Sequence, residues 1–211
     1  MRILHVMNDW LIGGISQIVY QFVSNSDTTK NFVVGFKGPR GFDERIFDKF
    51  KNAGVEQEIF LNENYYGIEN YIIDNKIDIV HKQTGGGDYP GWINVVKAMG
   101  VPVVETLCCP RKSGVPEGIL DAKIGITQMT ATLNLPTKIH VVPQPCDLLV
   151  GEPKYLKDKI IIGRLARYEP FKQAEFICDI AEEFFYNGRY KDIVNKLHFI
   201  IAGFKFDERY F

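Results

Sequence analysis

Residues 2–23, RILHVMNDWLIGGISQIVYQFV, contain three kinds of local order in sequence. Residues 2–7 are an apolar run of strand length. Residues 8–14 form a loop closed by Gly13-Gly14. From Ile15 onward the apolar residues Ile15, Ile18, Val19, Phe22 and Val23 recur at helical spacing. Strand, glycine loop and helix in that order make the first βα unit of a nucleotide-binding α/β fold. Glycines at such a turn let a phosphate or a sugar come close to the backbone, although a turn without a ligand uses the same letters. The full Gly-x-Gly-x-x-Gly spacing is absent, so no dinucleotide cofactor is expected.

The same alternation continues along the chain. Residues 31–36 (NFVVGF) read as a second strand. Phe42, Ile46, Phe50 and Ala53 mark a helix that stops at Gly54. Residues 55–61 fit a third strand, and 62–67 (NENYYG) a polar loop whose tyrosines suit packing over the core. A short helix over 68–75 leads to a fourth strand, 77–81 (IDIVH), which puts His81 at its end, before Gly85-Gly86-Gly87. Three glycines there call for unusual dihedrals or close approach. Ligands of open α/β sheets bind at that edge, so His81 and Gly86 are candidate cleft residues. Asp88 is placed to cap the next helix, and Pro90 fits its first turn. A fifth strand, 101–107 (VPVVETL), contains Glu105. A carboxylate in a central strand is costly unless it is paired or turned to a cavity. Glu105 is therefore a candidate functional acid, with an ion pair as the plainer explanation. Cys108, a further candidate cleft residue with Glu105, opens an irregular loop, 108–117, at the same edge. Residues 122–127 and 139–142 complete the strands, and Pro143, Pro145, Gly151 and Pro153 then punctuate a boundary.

This pattern predicts a parallel, helix-covered, Rossmann-like domain over 1–147, followed by the start of a second Rossmann-like unit over 148–211. The second unit opens with KDKIIIGRLARYEPFK, residues 157–172. The apolar run Ile160-Ile161-Ile162 is expected to break at Gly163 and to place Arg164, Arg167 and Lys172 before an amphipathic helix. Helix N-termini and guanidinium groups favour anions, so this loop is a candidate phosphate site; solvated loop charges are the alternative. A strand over 197–202 follows. One βαβ unit is too small for an independent core, so the chain is expected to be part of a longer protein, or to need a partner over that unit.

Composition narrows the function classes. The chain has 211 residues, 45% hydrophobic and 24% charged, with a formal net charge of −1. That balance, with no basic run, does not suit a nucleic-acid binder. Four cysteines, Cys108, Cys109, Cys146 and Cys178, show neither metal-ligand spacing nor a favourable disulfide geometry for the adjacent pair. No metal site is expected, and reduced thiols fit a cytoplasmic setting. No apolar run approaches the roughly 20 residues of a membrane span.

The segments resemble, in order, the family 4 retaining glycosyltransferases of the GT-B fold. RILHVMNDWLIGGISQIV is similar to that family's first strand, glycine pair and helix. IDIVHKQTGGG, VPVVETL, DAKIGIT and KIHVVPQPCD follow its later strands, and IIIGRLARYEPFK is similar to its second-domain signature. The resemblance implies a nucleoside-diphosphate sugar donor, a carbohydrate or glycoconjugate acceptor, no required metal and transfer with retention. It implies that Gly13 and Gly14 approach the donor diphosphate or acceptor, and that Arg164 and Lys172 neutralise the departing diphosphate. Three departures stand out. Cys108 replaces a histidine common in the family, Gln144-Pro145 replaces Asn-Gly, and the paired glutamates of the second domain would lie past Phe211. The 211 residues alone are thus expected to have little transferase activity. A degenerate glycan- or partner-binding relative and a sugar-nucleotide epimerase are the rival readings.

Overall fold

The computed structural model describes residues 1–36, 42–60, 65–143, 159–165 and 176–202. Cys146, Arg167, Lys172 and the Gln144-Pro145 pair lie outside the described residues. The chain divides into two compact units, Met1–Leu148 and Leu149–Phe211.

The first unit is a seven-stranded parallel sheet. Its strands are β1 (Arg2–Met7), β2 (Lys30–Phe36), β3 (Glu56–Phe60), β4 (Ile79–Thr84), β5 (Val103–Leu107), β6 (Ala122–Gly125) and β7 (His140–Val141). They lie in the order β3-β2-β1-β4-β5-β6-β7. Helices α1 (Gly14–Ser24), α2 (Glu44–Asn52), α3 (Tyr65–Asn75), α4 (Trp92–Ala98) and α5 (Gln128–Leu133) lie between the strands in sequence. Strand alternation decides which side each helix covers. Leu4, Val6, Phe32, Val34, Val80 and Val103 share a core with Ile68 and Ile72 of α3 and with Trp92, Ile93 and Val96 of α4. Met7 and Val33 face the other way, against Val19 and Val23 of α1 and Phe50 of α2. Strand order reverses between β1 and β4, and a parallel sheet opens a crevice at the carboxyl ends of two such strands.

Four expectations are corrected. The fourth strand runs to Thr84, so His81 lies inside it. Pairing of Lys82, Gln83 and Thr84 with Glu105, Thr106 and Leu107 carries the ladder that far. Tyr65 and Tyr66 belong to α3, not to a loop. Helix α4 is preceded by Gly91 with no side-chain cap; Asp88 is engaged elsewhere. Helix α5, whose N-cap Thr127 accepts a hydrogen bond from the Thr130 N–H at 3.2 Å, was not expected because six residues are too few to display a period.

In the second unit β8 (Ile160–Leu165) and β9 (Leu197–Ala202) pair in parallel. Between them lie α6 (Phe176–Tyr186), a 3₁₀ turn (Gly188–Tyr190) and α7 (Lys191–Val194). The expected break at Gly163 does not occur. Gly163 pairs with Ile200 and Arg164 with Ile201, so Arg164 is a strand residue. Phe184 and Phe185 of α6 pack on Phe199 with ring centroids 6.3 and 6.2 Å apart. Ile161 and Ile200, at the alternate strand positions, are exposed.

Trp10, in the loop after β1, is fully buried and meets Phe47 and Phe50 edge-on. Its ring fits only because residue 35 has no side chain: a Cβ there would lie 2.6 Å from Trp10 Nε1 and 2.8 Å from Cδ1. The surrounding rings leave the indole nowhere to retreat. Gly35→Ala should therefore destabilise the first unit by about 1–3 kcal/mol, read as a lower urea midpoint.

Candidate functional site

Two polar constellations occupy opposite faces of the sheet where β4 meets β5. On the α3/α4 side, Lys82 and Glu105 stand at paired positions of the two strands. Their side chains are 1% and 0% exposed, and Lys82 Nζ donates to Glu105 Oε1 at 2.7 Å. The ammonium also donates to Asp88 Oδ1 at 3.2 Å and to the Asp88 carbonyl at 3.3 Å. The Ser113 hydroxyl donates to Glu105 Oε2 at 2.5 Å. Thr84 Oγ1 donates to Asp88 Oδ1 at 2.7 Å and accepts from the Gly86 N–H at 3.0 Å. Asn8, in the loop after β1, reaches the Thr84 hydroxyl through Nδ2 at 3.5 Å.

This buried cluster sits beneath two interlocked loops. Gly87 N–H donates to the Lys112 carbonyl at 2.9 Å. Gly86 has φ of +91°, and a Cβ there would lie 2.9 Å from that same carbonyl oxygen. Such a position requires glycine on both counts. Gly114 is equally confined, since a Cβ would lie 2.7 Å from Asp88 N. Asn134, beyond α5, fixes the second loop by accepting from Ser113 N–H at 2.8 Å and donating to Arg111 O at 3.0 Å.

The second constellation lies on the α1 side. His5 and His81, neighbours in register on β1 and β4, have ring centroids 5.3 Å apart. His5 Nε2 meets Asn31 Oδ1 at 3.3 Å, and His81 Nε2 meets Thr106 Oγ1 at 2.7 Å. Gln83 approaches His81 from the same strand at 3.2 Å. Burial lowers the pKa of His5 to about 4, against the opposing pull of Asn31. Burial, and then the neighbouring His5, lowers that of His81 to about 3.

The sequence-predicted residues thus fall in different settings. Gly13 and Gly14 stand before and at the start of α1, with no atom within 4 Å of an added Cβ, so the space above them is open. The Gly13 N–H donates to Ser16 Oγ at 3.2 Å. Gly86 lies in the loop at the carboxyl end of β4. His81 faces α1 inside the sheet, near Phe22, and not the crevice. Glu105 is enclosed and ion-paired rather than turned to a cavity. Cys108 follows β5 with its Sγ 3.7 Å from Gln83 Oε1, and burial pushes its thiol up to about 12. Arg164 lies in β8, and Lys172 is outside the described residues. Lys82, Ser113 and Asn134 were missed, and Asp88 was read only as a helix cap. The signal was present: Lys82 and Glu105 continue the inward positions of Val80 and Val103, with opposite charges on consecutive strands. Among the described residues no group of three metal-ligating side chains converges, and no helix is long and apolar enough to cross a membrane.

Two measurements probe these clusters. Removing one member of a buried ion pair strands the other, whereas replacing both with apolar groups does not. Lys82→Met should cost about 3–5 kcal/mol in a denaturant titration, and Lys82→Met/Glu105→Leu should recover most of it. The histidines give a pH dependence of definite sign. Unfolded histidines take up protons below about pH 6.5, while the folded ones do so only near their lowered values. Stability is complete above pH 6.5 and falls toward pH 4, by on the order of 1.4 kcal/mol per pH unit for each histidine. The melting temperature should follow that slope, and His5→Asn/His81→Gln should flatten it.

No family model and no curated protein matches the sequence. Solved structures do match the fold. The apo form of the lipopolysaccharide outer core galactosyltransferase WaaB superposes with a TM-score of 0.58 at 9% identity, over 96% of this chain and 68% of that one. MurG of Acinetobacter baumannii gives 0.55 at 10% identity, over 96% and 68%. A UDP-GlcNAc 2-epimerase from Neisseria meningitidis, bound to UDP-GlcNAc, gives 0.55 at 12% identity, over 96% and 72%. Identities this low speak to architecture alone: the chain has the mixed α/β, Rossmann-like build of the GT-B fold.

Proposed function

We propose that this chain is the acceptor-side domain and the first part of the donor-side domain of a glycosyltransferase. It would move a sugar from a nucleoside-diphosphate donor to a carbohydrate or glycoconjugate acceptor with retention of configuration, as family 4 enzymes do. The observation that supports the reading is the reversal of strand order between β1 and β4, the place where open α/β sheets bind ligands. The open Gly13-Gly14 turn follows β1 and the glycine loop follows β4, in a fold shared with glycosyltransferases. Gly13 and Gly14 would admit the donor diphosphate or acceptor. Arg164 and Lys172 would hold the diphosphate as it leaves. Negative charge grows on that oxygen as the glycosidic bond breaks, so fixed cations stabilise the transition state more than the ground state. Transfer is proposed to need the complete protein, because the chain spans 68% and 72% of the length of such neighbours.

A nucleotide-sugar epimerase is the second reading, favoured by the likeness to the UDP-GlcNAc 2-epimerase. A non-catalytic binding relative is a third, supported by a Cys108 thiol that burial keeps protonated where the family often has histidine.

The test is incubation of the complete gene product with UDP-, GDP- and ADP-sugars, with and without a mixture of glycan acceptors. Mass spectrometry should find a transferred sugar only when acceptor is present, with the donor's anomeric configuration by NMR. Arg164→Ala should lower the rate by about 10²-fold. An epimerised donor formed without acceptor would select the second reading, and neither binding nor turnover of any nucleotide sugar would end the first two.

A further inference from the structure

We draw no further inference here: the strongest candidate, the bare apolar face of the β8–β9 sheet in the second unit, where Ile161 and Ile200 are exposed at the strand positions alternate to Phe199, carries nothing because nothing in the structure shows what covers it.

Discussion

Two opposite charges at paired positions of neighbouring parallel strands set the terms for the crevice side of this protein. Lys82 and Glu105 occupy core positions, where neither could stay charged without the other. Their remaining hydrogen-bonding capacity reaches outward, Lys82 to Asp88 and Glu105 to Ser113. Each target lies in a different loop, and the two loops are further locked by Gly87 N–H on the Lys112 carbonyl. A buried electrostatic requirement is thereby converted into a fixed shape at the carboxyl edge of the sheet.

The opposite face solves a different problem with different chemistry. His5 and His81 are kept neutral by burial, and each finds a neutral partner, Asn31 and Thr106. They contribute to packing under α1 and are remote in orientation from the open glycines before that helix. A histidine near a glycine-rich strand end suggests chemistry in a linear sequence. Alternation along β4 puts it on the covered side instead, while Lys82 and Thr84 project toward the loop cluster.

Fold and function stand on different footings here. The parallel sheet, its order and its solved neighbours agree on a GT-B architecture. That architecture hosts both sugar transfer and sugar-nucleotide epimerisation among those neighbours, so the choice of reaction belongs to site chemistry rather than to topology.

The sequence by itself determined the alternation of strands and helices, the parallel sheet it implies and the glycine-marked edge, because apolar periodicity and backbone permissiveness are local properties. The Gly13-Gly14 turn and the β9 strand at 197–202 were legible for that reason. The sequence admits Glu105 as paired or catalytic, with pairing the plainer reading. Tertiary structure alone decided it, because pairing depends on register, and register between β4 and β5 is set by residues across the sheet. The same holds for Asp88, which local rules assigned to a helix cap, and for Gly163, which they made a break. Lys82, on the strand that leads into the Asp88 loop, and a ladder partner at Ile200 outweighed those local preferences.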